Sequence, residues 1–212
     1  MRKARYYFLI LFFLISKSFA NQVLPCEIKQ KVLLISAGLS GIGKTTILKK
    51  LNSKLLNSFY ISKNLLNESL LQEKTELPDR YNMDYYKTYV AKQSYDIMID
   101  LAIDNLKDIN RVVILDGYFG DKIGKAMFKK LFHLEDVNVK IIFFQCSAET
   151  EMKRLAKRDE QRDREKLLNF DVYYNEHIKS HYDTLNNFEY LIVNTEEDID
   201  ENINKIIAYI SS

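Results

Sequence analysis

Between Lys31 and Leu51 the chain reads KVLLISAGLSGIGKTTILKKL: an apolar run, a loop of the form G-x-x-x-x-G-K-(S/T) from Gly38 to Thr45, and a segment with helical character. Glycines at 38, 41 and 43 permit backbone turns that a side chain obstructs, so successive N–H groups can face an anion at a helix N-terminus. In that arrangement Gly38, Gly41, Ile42, Gly43 and Thr46 line a phosphate cradle. Lys44 reaches the terminal phosphates, and the Thr45 hydroxyl completes the coordination of a magnesium ion. The loop therefore asks for a buried strand before it, a helix after it, and ATP with Mg2+ as its ligands.

The rest of the chain supplies a matching alternation. Five runs rich in β-branched or aromatic residues read as buried parallel strands: Val32–Ser36, Phe59–Ser62, Val112–Asp116, Val139–Gln145 and Tyr190–Asn194. Helical patterns separate them at Lys44–Asn57, Asp84–Lys107, Ile123–Leu134, Ala148–Lys166, Phe170–Asn186 and Asp198–Ile210. Strand and helix in strict turn predict an α/β chain: a three-layer P-loop NTPase fold, with a five-stranded parallel sheet, helices on both faces and a helical lid. Ligands gather at the carboxyl ends of its strands. With 212 residues, 6 glycines and 2 prolines, the chain shows no room for long linkers, and residues 31–212 are expected to form one domain.

Residues 1–20, MRKARYYFLILFFLISKSFA, read as a leader: Arg2, Lys3 and Arg5, an apolar run from Tyr6 to Ile15, then Ser18-Phe19-Ala20 at a cleavage position. The run is about half the ~20 residues that span a bilayer, so no stable membrane span is expected once the leader is removed. Cleavage would place the chain in the periplasm or outside the cell, with delivery into a host cell as the route back to ATP. An uncleaved leader would leave it cytoplasmic. Subtracting the four basic residues of the leader from 31 leaves 27 against 29 acids, and the formal charge goes from +2 to −2. A body of that charge gives no reason to expect general nucleic-acid binding. Cys26 and Cys146 fall at opposite ends of the sheet, out of disulfide reach.

Other residues carry chemistry with two roles open to each. RVVILDGYFGDK places Asp116 at a strand end beside the loop, where an acid holds magnesium or takes a proton from an acceptor hydroxyl; the alternative is a strand-end cap. Gly117 permits close approach, and Asp121 is either a solvated acid or a substrate contact. Arg154, Arg158 and Arg162 fall at i, i+4 and i+8 on one ridge, either a solvated face balanced by Glu151, Asp159, Asp163 and Glu165 or a set of guanidiniums that closes over phosphates. Tyr85, Tyr86, Tyr89 and Tyr95 pack as core or form an aromatic wall for a flat acceptor. His177 and His181 read as a surface pair.

Taken together, GLSGIGKTT, VVILDGYFGD, the run from Glu149 to Leu185 and the closing YLIVNTEEDIDENINKII resemble the thymidylate kinase and deoxynucleoside kinase group of P-loop kinases, across most of the chain after residue 30. The resemblance implies a kinase passing phosphate from ATP to a nucleoside or nucleotide. Lys44 and Thr45 would hold phosphates and Mg2+, and Asp116 would act as base or metal partner. Arg154, Arg158 and Arg164 would be lid arginines, and Asn194 to Glu196 would sit by the adenine. The acceptor half departs from the group: Gly117 stands where it has Arg, Ser62–Glu68 (SKNLLNE) replaces its signature after the second strand, and Lys92 and Gln93 occupy the place of its acceptor-reading arginine. The partner expected is a small molecule, a sugar or antibiotic being the alternative to a nucleoside. A homodimer stays open, as does a nucleotide-binding module or effector without turnover.

Overall fold

The computed structural model describes residues 25–72, 85–107, 109–120 and 122–212. The expected leader, Asp84 at the expected helix start, and Asp121 lie outside them. The element order is β1 (Val32–Ala37), α1 (Lys44–Lys54), β2 (Ser58–Ser62), α2 (Lys63–Gln72), a π-helical turn (Tyr86–Val90) leading into α3 (Ala91–Leu106), β3 (Val112–Asp116), α4 (Lys122–Leu131), β4 (Asn138–Gln145), α5 (Ala148–Arg158), α6 (Gln161–Leu168), α7 (Phe170–Leu185), β5 (Tyr190–Asn194) and α8 (Ile199–Ser211). The strands form one parallel sheet in the order β2-β3-β1-β4-β5.

Alternation along buried strands divides the core between the two faces. Val32 and Leu34 of β1, Val112 and Ile114 of β3, and Ile142 and Phe144 of β4 pack with Ile47, Leu48 and Leu51 of α1 and Ile203, Ile206 and Ile210 of α8. Their neighbours Leu33, Ile35, Val113, Leu115, Ile141 and Phe143 face the other way, against Tyr95, Met98 and Ile99 of α3 and Phe128 and Leu131 of α4. Each such side chain contributes about 1.5–3 kcal/mol over its exposed state. Because β1 and β3 are covered on both faces, every residue of both strands is buried, and their carboxyl ends deliver the Gly38 loop and Asp116 side by side.

Several boundaries differ from expectation. The first helix stops at Lys54 rather than Asn57, because Leu55 turns extended and bridges to Cys26. The helix expected over Ala148–Lys166 divides: Asp159 adopts a left-handed conformation with φ 48° after α5, and α6 restarts at Gln161. Residues Lys63–Gln72 form α2, a helix absent from the expected alternation. No Gly or Pro separates β2 from α2, and the start signal there is Ser62, whose hydroxyl accepts from Leu65 N–H at 3.4 Å. Both cysteines are free. Among the described residues no helix is long and apolar enough to cross a membrane.

Candidate active site

The loop after β1 takes the conformation its glycines allow. Gly38 and Gly41 have φ of +133° and +86°. A Cβ on Gly38 would lie 2.5 Å from the Phe144 carbonyl oxygen, and one on Gly41 2.6 Å from Leu155 Cδ2. Only glycine satisfies both demands, conformation and space, at these positions. Lys44 folds back over the loop and donates to the carbonyls of Gly38 at 2.9 Å and Leu39 at 2.6 Å. Burial pushes its ammonium down to about 8, against the pull of the Asp116 and Glu151 charges.

Asp116 ends β3 and is 5% exposed. The Thr45 hydroxyl donates to its Oδ2 at 2.6 Å and the Tyr60 hydroxyl at 2.5 Å. Burial, then the Asp116 charge, raise the Tyr60 hydroxyl well above its usual range, so it remains a donor. Thr45 keeps its lone pairs while donating, so it and Asp116 present oxygen ligands of the kind Mg2+ takes alongside phosphate oxygens. Among the described residues no cluster of three or more His, Cys, Asp or Glu forms a metal cage, and a magnesium ion shared with a nucleotide needs none. Gly117 lines the cleft and also serves the packing beneath it. A Cβ there would strike the Phe119 ring at 2.6 Å, so the glycine makes room for the chain's own core as well as for the cleft.

The arginines do not share one ridge, because the helix breaks after Arg158. Arg154 donates to the Ile42 carbonyl at 2.6 Å and to Thr195 Oγ1 at 2.8 Å and its carbonyl at 3.2 Å, tying the loop to the end of β5. Arg158 lies across Ser40 Oγ at 3.1 Å and pairs through Nε, at 2.7 Å, with buried Asp163, which Lys166 also meets at 2.7 Å. Burial lifts the Asp163 carboxyl, and the two cations outweigh it and hold it below the usual range. Arg154 and Arg158 line the cleft, whereas Arg164 is exposed. Asn194 serves the chain itself, accepting from Glu196 N–H at 3.0 Å through its side chain and from Asn202 at 2.8 Å through its carbonyl.

The cleft, about 300 Å³, runs from Ser40, Gly43, Lys44, Thr45 and Thr46 past Asp116 and Gly117 to a second wall that includes Lys63, Asn67 and Tyr86. That wall was missed in the sequence, where SKNLLNE reads only as a departure from a pattern. Tyr86 belongs to it, while Tyr95 is buried in the core and accepts from Phe119 N–H at 3.1 Å. Two buried titratable groups support the floor. Glu151 is fully buried, neither carboxylate oxygen has a hydrogen-bond partner among the described residues, and burial pushes it up to about 7. His181 overturns the expected surface pair, since α7 packs it against Phe143 at 5.6 Å and under the β3 loop. Its ring nitrogens face the His177 and Tyr118 carbonyls at 2.8 and 2.9 Å, and burial pushes it down to about 4.

A family model described as an AAA domain matches residues 37–169, from the end of β1 through α6. The chain belongs to this AAA domain family. Solved structures similar to this AAA-domain chain show the same P-loop NTPase fold. Shikimate kinase from Bacteroides thetaiotaomicron aligns at TM-score 0.59 and 16% identity over 85% of this chain and 99% of that one. A tunicamycin resistance protein from Deinococcus radiodurans aligns at 0.57 and 16% over 84% and 95%. A candidate kinase from Chloroflexus aurantiacus J-10-fl aligns at 0.62 and 14% over 86% and 97%. Comparison with curated proteins gives no match.

Proposed function

We propose that this AAA-domain chain is a phosphotransferase that moves the terminal phosphoryl group of ATP to a hydroxyl or phosphate of a small acceptor. A nucleoside or nucleotide, as in the thymidylate and deoxynucleoside kinase group, is the first class to test. The observation that carries the reading is the shape of the cleft. It begins at a phosphate loop with Lys44 and Thr45, passes a buried carboxylate, and continues to a separate polar wall; hydrolysis alone requires no such wall. Lys44, Arg154 and Arg158 would neutralise the phosphates, and the cleft would position the acceptor. Asp116 would accept the acceptor's proton or share a metal ion with Thr45. Mg2+, when bound, would supply charge neutralisation at the phosphate oxygens.

A second reading, a nucleotide-binding module without turnover, draws support from the ties of both cleft arginines to the protein itself. The deciding experiment follows Mg2+-dependent ADP release by the full chain with nucleosides, nucleotides, sugars and antibiotics, the last class because one fold neighbour is a tunicamycin resistance protein. Release should rise with one acceptor and fall by at least about 100-fold in Lys44→Ala. ATP binding with no acceptor-dependent release would establish the module instead.

A further inference from the structure

We propose that Lys63, Asn67 and Tyr86 form the acceptor subsite, and that the acceptor carries an anionic group, phosphate or carboxylate, seated on the Lys63 ammonium. This rests on the kinase reading and narrows it to anionic acceptors, nucleotides rather than nucleosides among them.

Lys63 is the first residue after β2, so the sheet carries it to the same rim as the phosphate loop and Asp116. It is 5% exposed and lines the cleft. Its Nζ donates to Tyr86 Oη at 2.8 Å and to Asn67 Oδ1 at 3.4 Å, and lies 4.4 Å from the centre of the Tyr95 ring and 5.3 Å from that of Tyr86. Among the described residues, no carboxylate forms an ion pair with it. A charge so far out of water is normally paired; the Tyr95 ring, the Tyr86 hydroxyl and an amide oxygen hold the ammonium in place without cancelling it.

The neighbouring groups are arranged to receive an anion. Tyr86 Oη accepts from Lys63 and from Asn67 Nδ2, the latter at 3.3 Å. Its own proton has no acceptor among the described residues. Ammonium and hydroxyl together present two donors to an anion, and the charge-assisted bonds so formed are the strong ones. Asp116, farther along the cleft, would repel a second negative charge and accept from a hydroxyl. The polarity of the cleft therefore orients the acceptor, with its anionic end on Lys63 and its hydroxyl toward Asp116.

The test uses matched probes that differ in one group: thymidine and thymidine monophosphate, glycerol and glycerol 3-phosphate, glycerol and glycerate. Binding to the full chain without ATP is measured by calorimetry, so the result does not depend on turnover, and ADP release is followed separately. In at least one pair the anionic member should bind more tightly than its neutral partner. Lys63→Met should weaken that binding by about 10- to 100-fold, and Lys63→Arg should retain most of it. The phosphate and carboxylate pairs show which anion is read. ATP affinity and melting temperature, unchanged in Lys63→Met, establish that the variant is folded; a second variant, Tyr86→Phe, gives a smaller loss on the same probe. The proposal is overturned if no anionic probe binds the wild type more tightly than it binds a folded Lys63→Met, or if neutral partners bind equally well. Anion binding through Lys63 without ADP release would keep the subsite and sink the kinase reading.

Discussion

Lys44 is held by two carbonyls of its own loop and loses its proton more easily than a free lysine. Between about 8 and 10.5 the unfolded chain binds that proton and the folded chain does not, so this residue makes stability rise with pH across that window. A polyphosphate beside the ammonium reverses the balance and restores the proton. ATP binding at pH 9 should therefore take up most of one proton, read by calorimetry in buffers of different ionisation enthalpy. Lys44→Arg should abolish the uptake, because a guanidinium does not titrate there. Lys44, Thr45 and Asp116 were legible because a phosphate loop needs its residues in a fixed order after a strand. Glu151 was not, since within ETEMKRLAKRDE it reads as one more solvated charge. Only the packing of α5 on the loop, with Leu155 under Gly41, turns that face inward.

The break between α5 and α6 lets an acid from the second helix reach back to an arginine of the first. Asp163 is sandwiched between Arg158 and Lys166; the Arg158 contact depends on the left-handed turn at Asp159, whereas Lys166 stands one turn further along the same helix. Asp163→Asn removes the buried carboxylate that Arg158 and Lys166 share, leaving Arg158 the more exposed Glu160 at 3.5 Å, and the chain should lose about 3 kcal/mol in the absence of nucleotide. Phosphates can replace that charge, since Arg158 lines the cleft. The rise in melting temperature on adding ATP should then be larger in Asp163→Asn than in the wild type, and an equal rise would show that Arg158 does not meet the nucleotide. The break itself was illegible, because residues 148–166 contain neither Gly nor Pro and keep helical charge spacing throughout. The strands were the legible elements: β3 and β5 match their apolar runs residue for residue, and β1, β2 and β4 extend them by one residue each.

Stability of the whole molecule should respond to pH through two buried groups of opposite sign. Glu151 has its pKa raised from 4.5 to about 7, so the folded chain holds an extra proton in that window and stability falls as pH rises through it. His181 has its pKa lowered from 6.5 to about 4, so stability is lost as pH falls through that range. Between about 4.5 and 6.5 the two slopes oppose each other. Glu151→Gln should uncover the histidine slope, with melting temperature rising over that interval, and should be more stable than the wild type at pH 8 by on the order of 2 kcal/mol. An unchanged pH profile would show that Glu151 does not titrate in the fold.

The strand order β2-β3-β1-β4-β5 has one further consequence. β1 brings the donor loop to the rim and β2 brings Lys63, with Asp116 of β3 standing between them. On the proposed reading, the residues for ATP and those for the acceptor descend from different strands, with the strand that carries Asp116 paired to both. If the proposed subsite holds, grafting should retarget the chain: replacing the β2–α2 junction from Ser62 to Gln72 together with Tyr86 should exchange one clientele of acceptors for another while the engine beside it runs unaltered.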